Sequence, residues 1–354
     1  MSYDLIEIDF SGPPGRALLT SLTERHGPAL AVLAKAVERP FLIRSDWAPG
    51  LRFAGARTAG GTIPPLSLSG AGLTLEDALA SCLGEGAERL AQIERPGAIA
   101  RRCPLAACRD SVPSAVARAV AEAVGAEPQT PLDWVAGRDA ASGREVLLPA
   151  DWCLRRSEQL RRLPRISALS SGVAAGACRE AAAERALLEI VERDAAALWW
   201  LGGRPAAVVG VDELTETAAA IARVRGGNTA RQTIVLDLTT DLGVPVAAAV
   251  STDVAGGALA IGLGCRRTLD AAARAAVMEL GQMEIGLLIA RGKIASGGPL
   301  TGSDRDHLAR AALTLENLPT TADRARPGAA AGGFDELLAG LTTEIAFIDH
   351  APCD

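Results

Sequence analysis

Carboxylates set into apolar helices constrain this chain more than any other feature. From Ser170 to Trp200 it reads SSGVAAGACREAAAERALLEIVERDAAALWW, a small-residue turn feeding a long helix that carries Glu189 and Glu192 among Ala, Leu, Ile and Val. A buried carboxylate is costly unless something binds it. The fold must therefore bring a metal or a polyvalent ligand to that helix, or matching groups from elsewhere in the chain.

The same template occurs twice more. One helix carries Glu76, Ala78, Ser81, Glu85, Glu88 and Arg89; the second carries Glu180, Ala182, Arg185, Glu189, Glu192 and Arg193; the third carries Asp270, Ala272, Ala275, Glu279 and Gln282. Residues three, four and seven apart share a helix stripe, so Ser81, Glu85 and Glu88 point one way, as do Glu189 with Glu192 and Glu279 with Gln282. For one helix alone, a solvated acidic face is the plain alternative. Against it stand the apolar neighbours Leu83, Leu187, Leu188, Ile190, Val191, Val277 and Leu280, and the threefold recurrence. Converging carboxylates with few lysines suit Mg²⁺, a hard cation that takes oxygen ligands and often bridges to phosphates. No Walker A loop, GxGxxG junction or kinase signature is present, so the common nucleotide folds are not indicated.

Among 354 residues, hydrophobic types make up 49% but aromatics only 3%, so the core has to be built from Ala, Val, Leu and Ile. The net charge of −6 argues against non-specific nucleic-acid binding, which needs a basic footprint. The Arg161, Arg162 and Arg165 cluster reads as a solvated face. Seven scattered cysteines without a CxxC pair suit reduced thiols, and three histidines offer no zinc spacing. The start MSYDLIEIDF lacks signal-peptide character, and no apolar run is long enough to span a bilayer. A cytoplasmic protein with no membrane partner is expected.

Strands and helices are interspersed, which makes this an α/β (α+β) chain. Residues 1–39 read as an N-terminal helical extension, with an extended start at Leu5–Phe10 and a helix from Arg16 to about Val37. Three turn-bounded strands follow between Pro40 and Leu68. Thr74 caps a helix running through Arg89 to about Ile93. Later come a helix over Val112–Val124, strands in PLDWVAGRD and GREVLLPADW, and the Ser170–Trp200 unit. Then follow a strand at Ala206–Val211, a helix from Asp212 to about Val224, and the strand pair TIVLDLTTDLGVPVAAAVST. ALAIGLGC is another strand, and a helix begins at Thr268. Gly297–Asp306 is expected to be loop, His307–Leu315 and Phe334–Leu341 helix, PGAAAGG a linker, and EIAFID a last strand.

On these residues the chain resembles the YcaO family. SCLGEGAERL (81–90) is similar to the family's first metal and nucleotide motif. SSGVAAGA…LLEIVERDAAALWW (170–200) resembles its Gly-rich turn and LLExxERDAxxxWW helix, and ELGQMEI (279–285) its ExxQ helix. VLDLTTDLGVPVAAAV (235–250) is similar to its strand-turn-strand. The resemblance runs from about residue 40, so 40–354 is expected to be a YcaO-like domain that looks short at its C-terminus. It implies mixed sheets and helices around a cleft for ATP and Mg²⁺. It also implies ATP-dependent O-phosphorylation of peptide-backbone amides in a ribosomally made precursor peptide, giving azoline (thiazoline or oxazoline), thioamide or amidine products. Carried over residue by residue, Glu85, Glu88, Glu189 and Glu192 resemble Mg²⁺ ligands. Ser81, Arg193, Gln282 and Glu279 resemble nucleotide-pocket positions. No catalytic group is assigned. Trp199 and Trp200 read as core. A leader-binding or sulfur-delivery partner protein and a homodimer are the assemblies the family implies.

Four positions depart from the pattern. Where members carry Asn and then Glu after the AAG turn, this chain has Ala177 and Ala181; Glu180 and Glu184 are the nearest substitutes. A family Lys between glycines is Ala71, and an Arg four before the ExxQ Glu is Ala275, with Arg274 adjacent. These losses define an alternative: a YcaO-like scaffold that binds a peptide or a partner without turnover.

Overall fold

The computed structural model describes residues 3–59, 64–125, 128–165, 169–321 and 345–350. The chain opens with β1 (Tyr3–Glu7), α1 (Pro13–His26) and α2 (Pro28–Ala36). The expected single helix is thus two. Pro28 can only start a helix, and Gly27 takes φ 92° between them. Next come β2 (Val37–Ser45), β3 (Arg52–Thr58), β4 (Ser67–Gly72) and α3 (Leu75–Ala91), then β5 (Arg101–Cys103), α4 (Ser114–Val124), β6 (Leu132–Asp139), β7 (Glu145–Pro149) and the single turn α5 (Ala150–Cys153). The second half holds α6 (Arg179–Trp200), β8 (Ala206–Val209), α7 (Thr215–Arg225), β9 (Arg231–Asp237), β10 (Val246–Asp253), β11 (Ala260–Cys265), α8 (Leu269–Ala295), α9 (Gly302–Ala311), β12 (Thr320–Thr321) and β13 (Ala346–Phe347). The expected linker and the helix at Phe334–Leu341 lie outside the described residues.

The mixed α/β architecture is as expected. Strands β1 to β4 form one antiparallel sheet in sequence order, and a second sheet runs β11-β10-β9-β8-β12 with only β8 and β12 parallel. A third, smaller sheet is centred on β6, which pairs with β5, β7 and β13. Alternation along the strands sets the layers, because neighbouring residues face opposite sides. In β2 and β3, Leu42 and Ala54 pack towards α1, α2 and α3, while Ile43 and Phe53 pack towards α7 and α8. In β10, Ala247 and Ala249 face α8, whereas Val246, Ala248 and Val250 face Leu187, Val191 and Trp199 of α6. The order through the molecule is therefore α1–α3, first sheet, α7 and α8, second sheet, α6.

Small residues permit this stacking. Ala272, Ala273 and Ala276 of α8 are fully buried, and β11 approaches so closely that a Cβ on Gly264 would lie 2.2 Å from the Ala272 carbonyl oxygen. An aromatic-poor core follows from the same spacing, since large rings would hold these layers apart.

At the heart of the central layer sits a fully buried ion network. Both oxygens of Glu284 on α8 accept from Arg225 of α7 at 2.8 Å, and one accepts from Arg231 of β9 at 2.8 Å and from the Ser251 hydroxyl at 2.5 Å. Arg225 also donates to the Trp47 carbonyl, and Arg231 lies 4.3 Å from the Trp47 ring centroid. One carboxylate thus ties α8 to α7, β9, β10 and the β2–β3 connection, fixing how α8 is rotated.

α9 is a correction to the sequence reading, which placed loop through Asp306 and helix from His307. Thr301 and Asp304 form a reciprocal capping box, and Asp304 also takes a 2.6 Å ion pair from Lys293 of α8. Trp199 is core as expected, donating to the Pro319 carbonyl at 3.0 Å, but Trp200 is 38% exposed. Arg161 is also buried rather than solvated, donating to the Asp151 carbonyl. Among the described residues no helix is long and apolar enough to cross a membrane.

Removing Glu284 would leave two buried guanidinium groups uncompensated, at a cost of about 3–5 kcal/mol. Glu284→Ala should lower the unfolding midpoint in urea accordingly, whereas Gly264→Ala should cost about 1–3 kcal/mol through overpacking. An unfolding free energy within about 0.3 kcal/mol of wild type for Glu284→Ala, the usual error of such comparisons, would refute the clamp.

Candidate functional site

Two of the acidic helices are built as copies. Thr74 caps α3 by accepting the Asp77 amide, and Thr268 caps α8 by accepting the Ala271 amide. Each helix follows an edge strand, and each returns a glutamate to it. Glu85 accepts the Ser69 amide of β4 at 2.5 Å, and Glu279 accepts the Leu263 amide of β11 at 2.9 Å, both pairs sixteen residues apart. An edge strand exposes unpaired amides, and here a carboxylate takes one on each edge. That contact holds each helix against its strand and draws the carboxylate towards the sheet margin.

α6 supplies the third set. Its N-terminal turn folds over α3, where Glu88 accepts the Ala175 amide at 2.8 Å. Glu189 is held by the Gly172 amide and lies 3.6 Å from Arg193. Glu192 is almost fully buried on the same stripe.

The electrostatics join these helices into one acidic seam. Burial first, then the charges of Glu189 and Glu85, push Glu88 up to about 7 against the pull of Ala175 and Arg185. Burial, Glu279 and Glu189 push Glu192 up to about 7. Glu189 is also raised, by burial and by Glu279, and Glu279 is raised by burial. Carboxylates of α3, α6 and α8 thus sense one another, which sequence spacing alone could only suggest. Shifts of this kind cluster at functional sites.

The eight expected residues do not share one condition. Glu88, Glu189, Glu192 and Glu279 form the seam. Glu85 is spoken for by the Ser69 amide and by Arg89, whose Nε donates to it at 3.0 Å. Arg193 is half exposed beside Glu189, and its charge also reaches Glu192 and Glu279. Gln282 lies one turn beyond Glu279 on α8, half-buried, and Ser81 is exposed one turn before Glu85. The sequence reading missed Arg266, in the turn between β11 and α8, and Arg310 on α9, both of which act on Glu279. Arg310 fell within the helix expected over His307–Leu315, but no local signal tied that helix to Glu279.

Two of the three substitutes for the missing groups are otherwise engaged. Glu184 pairs with Arg267 at 2.7 Å, and Arg274 pairs with Glu216 of α7 at 3.3 Å. Ala71 packs into the central core.

A divalent cation fits this donor set. The seam holds hard oxygen donors raised towards neutrality by burial and then by one another, and positive charge is what would relieve them. Among the described residues no three candidate donors close into a metal cage. Mg²⁺ does not need one, because it keeps several waters and bridges to phosphates. A separate hollow open to solvent lies further along α6 between Trp199, Arg204 and Asp237. It contains none of the mutually perturbed carboxylates, so the seam is the candidate site.

The sequence model for the YcaO cyclodehydratases, described as ATP- and Mg²⁺-binding, matches residues 69–345. The chain belongs to the YcaO family. No curated protein matches it. Its fold resembles that of a heterocyclase in complex with substrate and cofactor, with 21% identity and a TM-score of 0.68 over 91% of this chain and 48% of the other. The chain therefore spans about half the length of that heterocyclase. YcaO from Methanopyrus kandleri bound with AMPPCP and Mg²⁺ matches with 21% identity and a TM-score of 0.56 over 84% of this chain and 73% of the other. The E. coli microcin synthetase McbBCD complex with pro-MccB17 bound matches with 17% identity and a TM-score of 0.56 over 82% and 77%. At these identities the structures establish a shared fold. ATP and Mg²⁺ are the ligands by which this YcaO family is defined.

The raised carboxylates give a pH dependence. Glu88 and Glu192 ionise near 4.5 when unfolded and near 7 when folded, so the folded chain holds more protons between those values. Stability contributed by this seam is therefore lost as pH rises through about 7. In chelator, the thermal midpoint should fall between pH 5.5 and 8, fall less in Glu88→Gln/Glu192→Gln, and recover with Mg²⁺ at pH 8. Superimposable profiles for the two proteins would contradict this.

Proposed function

We propose that this YcaO protein activates peptide-backbone amides of a ribosomally made precursor peptide at the expense of ATP. The observation that carries the reading is the seam, in which glutamates of α3, α6 and α8 perturb one another inside a chain whose family is ATP- and Mg²⁺-binding. A nucleophile adds to the carbonyl carbon, and the amide oxygen accepts the terminal phosphoryl group of ATP. The oxygen then departs as phosphate, and ADP is the other product. With a Cys, Ser or Thr side chain as nucleophile the product is an azoline; with sulfide it is a thioamide.

The protein's work in such a reaction is positioning and charge neutralisation. Glu88, Glu189, Glu192 and Glu279 would hold Mg²⁺, with Glu85 bracing α3 on β4. Bound there, Mg²⁺ would screen the phosphate oxygens from the carboxylates. Arg193 and Gln282 lie where they could orient the nucleotide, and Ser81 is an open hydroxyl at the rim. A leader-binding or sulfur-delivery protein is the expected partner, and precursor peptide the substrate. The McbBCD complex with pro-MccB17 is an assembly of this kind.

A second reading is favoured by specific observations. Ala177, Ala181, Ala71 and Ala275 stand at positions the resemblance would fill with polar groups, and Glu184 and Arg274 are committed elsewhere. On that reading the chain is a scaffold that holds a peptide or partner without turnover.

Phosphate release with Mg-ATP, precursor peptide and partner separates the two. Turnover should appear in wild type and drop at least about 100-fold in Glu88→Gln/Glu192→Gln, the scale of losing electrostatic transition-state stabilisation. Binding without phosphate release supports the scaffold. Turnover surviving the double substitution would show that the seam is not the site.

A further inference from the structure

α9 is held on α8 in a way that sends one arginine towards the acidic seam. Its first turn is fixed by the capping box and by the Lys293–Asp304 ion pair. Next, His307 lies over Gly286, where even a Cβ would come within 2.4 Å of its Nε2. One turn further on the same face, Arg310 lines a narrow hollow with His307, Met283 and Leu287 of α8 and Leu259–Ile261 of β11. Met283 is one helical turn from Glu279. Arg266 follows the end of β11, three residues beyond Leu263, whose amide Glu279 accepts, and its Nη1 donates to the Cys265 carbonyl at 2.6 Å.

Neither arginine is neutralised. Among the described residues neither Arg266 nor Arg310 forms an ion pair, and Arg310 donates only from Nε to the Asp306 carbonyl at 3.2 Å. Each nonetheless lies near enough for its charge to act on Glu279. Other arginines nearby are used up: Arg267 is held by Glu184, Arg274 by Glu216 and Arg89 by Glu85. Two guanidinium groups without a carboxylate partner thus act at the α8 end of the seam, where Arg193, the other arginine whose charge reaches Glu279, is already beside Glu189. An arginine presents a planar fork of donors that matches phosphate oxygens.

We propose that Arg310 of α9 and Arg266 of the β11–α8 turn grip the terminal phosphates of the nucleotide, opposite the carboxylates that take the metal. This rests on the reading of the seam as a Mg-ATP site and adds the residues that would select a polyphosphate over a nucleoside. α9 is then a delivery arm for a cation, and its anchors on α8 serve to aim that cation.

The test is calorimetric titration of the intact chain with Mg-ATP, Mg-ADP and AMP. Arg310→Ala and Arg266→Ala should each weaken Mg-ATP binding by about tenfold or more, the scale of a charge-assisted hydrogen bond. Mg-ADP should be affected less and AMP within about twofold, and Arg310→Lys should restore part of the loss as a point charge. Matched thermal midpoints would show that the variants fold. Unchanged Mg-ATP affinity in both alanine variants overturns the assignment while leaving the nucleotide reading intact. Equal weakening of AMP overturns it in favour of a purely structural role. Failure of wild type to bind Mg-ATP overturns the nucleotide reading itself, and this assignment with it.

Discussion

The ion network around Glu284 is the interaction on which the remaining architecture depends. Three buried charges, one carboxylate and two guanidiniums, are compensated only if α8, α7, β9 and β10 meet in one register. An apolar helix packed on alanines and glycines could slide or turn at small cost, because such surfaces lack deep knobs. A charge that must meet two fixed arginines cannot. This pins the rotation of α8, and less than two turns away the same helix presents Glu279 to the edge of β11. Order in the core is thereby transmitted to the site.

The site itself grows from an edge problem solved in the same way twice. β4 and β11 each end a sheet and each expose an amide that a glutamate from the following helix accepts, at the same separation in sequence. The solution places negative charge at both margins. With α6 laid over them, Glu88, Glu189 and Glu192 join in; burial first, and then the repulsion among these groups, raises Glu88 and Glu192 to about 7. The structure stores unfavourable carboxylate contacts that a divalent cation would relieve. Stability is given up locally for a binding function, a common bargain at functional sites.

Much of this was legible in the residues. The template shared by three helices located Glu85, Glu88, Glu189, Glu192 and Glu279, because helical periodicity and capping are local properties. Thr74 caps where sequence reasoning placed a cap, and the helix expected to begin at Thr268 is capped by that residue. What was not legible depends on contacts distant in sequence. The Arg89 pairing with Glu85 is a local i,i+4 contact, but nothing near Glu85 says that it would accept the Ser69 amide, or that Glu279 would sit among the charges of Arg193, Arg266 and Arg310. Glu184 and Arg274 read as spare polar groups, yet Glu184 found Arg267 in the β11–α8 turn and Arg274 found Glu216 on α7. The start of α9 was misplaced because GSDRD looks like loop until Thr301 and Asp304 are seen as a reciprocal cap.

The central claim is that the glutamates of α3, α6 and α8 form one site for a metal-bound nucleotide. A crystal structure grown with Mn²⁺ and a non-hydrolysable ATP analogue, with anomalous data collected for manganese, tests it most directly. The account predicts manganese peaks among Glu88, Glu189, Glu192 and Glu279, with the polyphosphate lying against them. Manganese or nucleotide located instead in the hollow between Trp199, Arg204 and Asp237, with the glutamate seam left unligated, would contradict it.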